Sequence, residues 1–156
     1  MAKTKRVDAG APIKRRRTVV LPDDACPTCG TMMRRTDRSI AFPINGERIL
    51  VPGIPHLRCP KCGEAVLDLH ESWTLSERAM TEYRTRHHLL SGQEIRLLRK
   101  HLGLTQAGLA RLLRLGGSTI SRWESGRTVQ MAAMDVLLRL VRDVPETVRF
   151  LRNRKD

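Results

Sequence analysis

Aromatic residues are scarce in this chain. Phe42, Trp73, Tyr83, Trp123 and Phe150 are the only five among 156 residues. So few ring faces argue against a protein that stacks single-stranded bases on aromatic side chains. Acidic residues are also in short supply, 16 against 29 lysines and arginines, so the formal net charge is +13. No apolar run approaches the roughly 18 residues of a membrane span, which argues against an integral membrane protein. The first residues, MAKTKRVDAGAPIKRRR, are basic but lack the apolar stretch of a signal peptide. The expected location is the cytoplasm, where the four cysteines stay reduced. No Ser/His/Asp set is recognisable, so an enzyme is the least expected class. What remains is a basic chain suited to a polyanion, nucleic acid before lipid.

The charge is unevenly spread. Residues 1–25 carry net +4, residues 26–70 net +2, residues 71–92 net zero and residues 93–156 net +7. Residues 1–25 show no apolar period and read as a disordered basic arm. The cluster Lys14 to Arg17 could track phosphates or a minor groove, but a plain disordered tail is the reading taken. Residues 26–70 hold five prolines and short apolar runs such as Ile49-Leu50-Val51. This predicts hairpins and loops, with too little aliphatic matter for a core of their own. Residues 71–90 lack Gly and Pro and predict a polar helical linker, with Trp73, Leu75, Met80 and Tyr83 available for packing. Ser91-Gly92 would break it.

The cysteines form two matched pairs, Cys26-Pro27-Thr28-Cys29-Gly30 and Cys59-Pro60-Lys61-Cys62-Gly63. CxxC spacing lets two sulfurs of one tight turn face the same ion, and four thiolates complete the tetrahedron of a structural zinc. The glycine after each pair lets the backbone fold so that amides face the sulfurs. One zinc held by Cys26, Cys29, Cys59 and Cys62 brings residues 26–70 to neutrality, which suits a protein partner better than DNA. A four-thiolate site has no open position for water activation. His56 and His70 flank the second knuckle and are read as surface residues. The expectation is that Cys59→Ser unfolds residues 26–70 and leaves residues 93–156 helical.

Residues 93–156 predict five short helices around one core. Ile95, Leu98 and Leu102 mark the first, with Gly103 at its C-terminal end. Thr105 caps the second, with Leu109, Ala110, Leu112 and Leu113 inward. Gly116-Gly117 makes a turn, and Ser118 caps a third helix that buries Ile120 and Trp123. Met134, Leu137, Leu138 and Val141 mark the fourth, and Pro145 opens the fifth with Val148 and Leu151. The segment TQAGLARLLRLGGSTISRWESG fits a helix-turn-helix, whose second helix enters the major groove. Gln106 lies at the start of the supporting helix, where free N–H groups can hold a phosphate. Ser118, Thr119, Ser121 and Arg122 are the candidate DNA contacts on the third helix, with Arg122 suited to guanine. Arg127 is placed for the DNA backbone. Trp123 is read as core, and Glu124 as a partner for Arg99.

These segments carry a resemblance. Residues 93–143 resemble the Xre (phage-repressor-like) helix-turn-helix, with SRWESG as the clearest stretch. With the paired CPxCG knuckles ahead of it, the stretch 26–151 resembles the YgiT-type zinc finger and helix-turn-helix proteins, which include MqsA-type antitoxins. The resemblance implies an α+β chain, with a small β-rich zinc-ribbon-like domain followed by an all-α domain. It implies a bacterial antitoxin of a type II toxin-antitoxin pair, cytoplasmic and nucleoid-associated. Its zinc domain would block a small ribonuclease toxin. Its helical domain would form a homodimer and repress its own operon at a palindromic operator. The recognition arginine falls on Arg122, and a base-reading asparagine falls on Ser118, a departure. Arg99 and Glu124 fall on a structural ion pair. Two alternatives stand beside this reading: a stand-alone transcription regulator with a structural zinc domain, and an RNA-binding zinc-ribbon protein.

Overall fold

The structure, a computed structural model, describes residues 24–154. The basic arm read over residues 1–25 lies outside the described residues, apart from Asp24 and Ala25. Five short strands come first: β1 (Arg34–Thr36), β2 (Ile40–Ile44), β3 (Glu47–Val51), β4 (His56–Arg58) and β5 (Ala65–Val66). Six helices follow: α1 (Leu69–Arg86), α2 (Gly92–His101), α3 (Gln106–Leu112), α4 (Thr119–Glu124), α5 (Ala132–Asp143) and α6 (Pro145–Asn153). The architecture is α+β, a small zinc-ribbon-like β region followed by an all-α region. Among the described residues, no helix is long and apolar enough to cross a membrane.

The strands make two separate sheets. One has the antiparallel order β1-β4-β5, and the other is the β2–β3 hairpin. Asn45 and Gly46 turn the hairpin with φ of 48° and 86°. Two consecutive left-handed residues match the right-handed twist of the flanking strands. Register then places Ile40, Phe42 and Ile44 on the same face as Val51 and Ile49.

That face does not stay bare. Ile40, Ile44, Ile49, Val51 and Ile54 form one buried cluster with Leu75 and Ala79 of α1. Residues 71–92 are therefore more than a linker, because α1 completes the hairpin's core through Leu75 and Ala79. The hairpin alone could not bury enough apolar area, and the helix supplies the rest. A capping box starts α1: the Asp68 carboxylate accepts the Glu71 N–H at 2.7 Å, and the Glu71 carboxylate accepts the Asp68 N–H at 3.0 Å. The helix ends at Arg86, four residues short of the expected Leu90. His88 takes φ of 50°, and the Leu89 N–H returns to the Arg84 carbonyl at 2.9 Å.

A second core gathers Leu90, Ile95, Leu98, Leu109, Ala110, Leu113, Ile120, Trp123, Leu138 and Val141. Ser91 does more than break a helix, since it opens α2 with its own capping box to Glu94. Thr105 caps α3 by accepting the Gly108 N–H at 2.9 Å. The turn after α3 is made differently from the expectation. Its left-handed residue is Arg114, with φ of 55°, and the Leu115 N–H bonds the Ala110 carbonyl at 2.8 Å. Gly116 and Gly117 follow that turn without supplying its left-handed step. Ser118 stands at the N-terminus of α4 with helical φ and ψ, and its hydroxyl does not cap. Side-chain capping needs an extended residue there.

Candidate metal centre and nucleic-acid interface

The two CPxCG turns fold alike. Each first cysteine accepts from the glycine four residues on, Gly30 N–H at 2.9 Å and Gly63 N–H at 3.0 Å. Each also donates its own N–H to the residue five on, Thr31 and Glu64, at 2.9 and 2.8 Å. The β1–β4 pairing brings the turns together, and all four sulfurs lie within 4.8 Å of one another. Cys26 Sγ is 3.5 Å from Cys62 Sγ, Cys29 Sγ is 3.5 Å from Cys59 Sγ, and Cys29 Sγ is 3.7 Å from Cys62 Sγ. Four sulfurs each about 2.3 Å from one zinc would stand about 3.8 Å apart. The cysteines are free thiols. The donor set and spacing form one site for one structural zinc ion.

Electrostatics prepare the sulfurs for a cation. The Thr31 hydroxyl and the Thr31 amide hold the Cys29 thiol down to about 6. At Cys62 the Glu64 amide pulls the pKa down, but burial and the neighbouring sulfurs prevail and push it up to about 12. The Cys59 thiol is lowered as well, mainly by the Cys62 amide, and crowded sulfurs pulled in opposite directions are what a dication relieves.

His56 is a correction. It is buried, 2% exposed, with Nδ1 2.8 Å from the Ile54 carbonyl oxygen. The β4 alternation turns its ring inward, which its nearness to the knuckle did not suggest. His70 is exposed. The near-neutral charge of the zinc region also hides an asymmetry. Arg34, Arg35, Arg38 and Arg58 line one cleft of about 490 Å³ beside Cys59 and Pro60. Arg34 and Arg58 face each other directly across β1 and β4. Like charges so placed cost stability unless an anion covers them.

On the helical side, α4 turns Ile120 and Trp123 inward. Its outer face carries Ser118, Ser121 and Arg122. Arg122 Nη2 donates to Ser118 Oγ at 2.6 Å, and the Ser121 hydroxyl donates to the Ser118 carbonyl at 2.9 Å. Thr119 is half-buried at the helix start. The other two candidate contacts are turned elsewhere. Gln106 Nε2 donates to Glu124 Oε2 at 2.8 Å. The Arg127 guanidinium lies 5.9 Å from the centre of the Trp73 ring.

Residues 24–152 match the family described as the antitoxin component of bacterial toxin-antitoxin system, MqsA. The chain belongs to the MqsA antitoxin family. No curated protein shows significant similarity to it.

Three features of this MqsA-family chain were not legible in the sequence, and the first two bear on how α4 is held. Arg84, 9% exposed, donates from Nη2 to the Trp123 carbonyl at 3.2 Å and the Thr128 carbonyl at 2.8 Å. At Gly92, an added Cβ would lie 2.6 Å from the carbonyl oxygens of Trp123 and Glu124. Asp135 accepts the Leu90 N–H at 2.7 Å and bonds from Gln130 and Arg139, tying the α1–α2 connection to α5. Burial works against the Asp135 carboxylate, yet the bonds from Arg139, Leu90 and Gln130 hold its pKa below the usual value. Arg84, Gly92 and the Asp135–Leu90 bond carry no local sequence signal, because those partners lie far along the chain, whereas Arg139 is only four residues from Asp135.

Proposed function

We propose that this MqsA-family chain is a non-enzymatic repressor that autoregulates its operon and neutralises a small toxin. In this reading α3 and α4 form a helix-turn-helix. A homodimer presents two copies of α4 to the half-sites of a palindromic operator. The single observation that carries the reading is the outer face of α4, where Arg122 and Ser118 stand together on a helix whose other side is locked into the core. Arg122 supplies a fork for guanine O6 and N7, worth about 1–3 kcal/mol of discrimination. Ser121 and Thr119 lie within the same short helix. For Gln106 and Arg127 to reach phosphates on DNA, they would exchange their present partners, Glu124 and Trp73, for them.

The zinc region is the toxin-binding part in this proposal. Its metal is structural, since four thiolates fill the zinc sphere. The arginine cleft beside Cys59 suits an acidic protein surface. The test is co-expression with the neighbouring gene product, followed by a shift assay on the DNA upstream of the operon. A small toxin that is neutralised and co-purifies, with retarded upstream duplex, is the expected result. A neighbour that neither binds nor poisons growth removes the antitoxin half. A preference for single-stranded RNA over upstream duplex removes the DNA half.

A further inference from the structure

α4 has only six residues. A helix that short has almost no stability of its own, so its orientation is set by what grips it from outside. Its exit is gripped by α1. The two carbonyls that Arg84 holds, those of Trp123 and Thr128, bracket the turn by which the chain leaves α4. Gly126 in that turn is left-handed, with φ of 77°, and its Cβ position is 4.0 Å from Arg84 Nη1. The last carbonyls of a helix lack partners within the helix and carry partial negative charge. A buried guanidinium satisfies both needs there.

The grip continues to Arg122. The amides of Arg127 and Thr128 both donate to the Arg122 carbonyl, at 3.0 and 3.4 Å. Thr128 is therefore bonded on one side to Arg122 and on the other to Arg84. We infer that Arg84 is a positioning residue for operator recognition, setting from α1 the orientation in which α4 presents Arg122. This rests on the proposed reading of α4 as the recognition helix. Since α1 also carries the hairpin through Leu75 and Ala79, the choice of operator is tied to the N-terminal half of the chain.

The test uses the full-length, zinc-loaded chain, an upstream operator duplex and a scrambled duplex of the same composition. Arg84→Met keeps the volume and removes the donors. It is expected to lower the ratio of operator to scrambled affinity about tenfold, the worth of one bidentate base contact. Affinity for the scrambled duplex, set by phosphate charge, should stay as in the wild type. Equal loss on both duplexes, or no loss, in a folded variant overturns the inference. Where Arg84→Met fails to fold, Arg84→Gln decides: a lowered ratio supports the inference, and a wild-type ratio overturns it. A wild-type chain with no preference between the duplexes brings down the reading of α4 itself, and the inference with it. A wild-type preference that both Arg84 variants share brings down the inference alone.

Discussion

Arg99 holds Glu124 from 25 residues away by two parallel bonds, Nε to Oε1 at 2.5 Å and Nη2 to Oε2 at 3.0 Å. Arg99 Nη1 also donates to the Leu104 carbonyl at 2.9 Å. With Gln106 on the same carboxylate, one side chain at the end of α4 joins α2, α3 and α4. The Glu124 side chain is 5% exposed, so its charge is compensated by protein and not by water. Glu124→Gln leaves a mostly buried guanidinium without its anion. The expected cost is about 3 kcal/mol, read as a lowered urea midpoint in the zinc-loaded protein. An unchanged midpoint would show that the pair contributes little.

Acid should weaken the fold through the same group. Burial raises the Glu124 pKa, but the Arg99 and Gln106 bonds prevail and hold it below the usual carboxylate value. Asp135 is depressed as well. A depressed folded pKa contributes stability that is full above the unfolded value, near 4. That stability is lost as pH falls through the lower folded value. Melting temperature should therefore drop progressively below about pH 5. Glu124→Gln should show a shallower drop than the wild type, with zinc loss common to both. Parallel curves would assign the acid sensitivity elsewhere.

Zinc removal should act more locally than the composition of residues 26–70 suggests. The sulfur site has its own small cluster of Cys26, Met33 and Cys59, with Leu57 and Cys29 against it. The hairpin is anchored to α1 instead. After chelation, amide exchange should accelerate over residues 24–36 and 56–66, while residues 40–51 and the helices stay protected. Loss of protection across 40–51 would make the hairpin metal-dependent after all.

Gly92→Ala tests the approach of α2 to α4. Alanine is the better helix former by up to about 1 kcal/mol, so an open site would gain stability. Here the new methyl meets two backbone oxygens at 2.6 Å, and backbone cannot swing aside as a side chain does. A net loss of about 1–3 kcal/mol is expected, seen as a lower melting temperature. A raised melting temperature would refute the close approach.

Arg122→Ala should erase most of the preference for operator over random duplex in a binding titration. Log affinity should fall steeply with log salt, with a slope of roughly −0.9 per phosphate neutralised. Unchanged preference would reject Arg122 as the base reader.

Local chemistry was legible in the sequence, and distant pairing was not. The CPxCG repeats located the metal site because both ligands of each pair sit within one turn. Thr105 declared its helix start, and Trp123 its inward face, for the same reason. A hairpin was legible within residues 26–70, where Asn45-Gly46 is a strong turn signal between IAFPI and ERILV, but its buried core was not. Its burial depends on α1, which looks polar by itself. Arg84 was unreadable because its partners are main-chain carbonyls 39 and 44 residues on. Any residue can supply a carbonyl, so no pattern marks them. Ser118 misled because a serine ahead of a helix suggests a cap, whereas its hydroxyl serves Arg122.

The hairpin and α1 are neighbours in sequence, so residues 40–86 can pack as soon as they leave the ribosome, without long loops to close. The first knuckle must wait for the second, and α4 is made later still. By then α1 can already stand as a template, its Arg84 set where the exit of α4 will arrive. The order of synthesis thus runs from scaffold to the helix it orients.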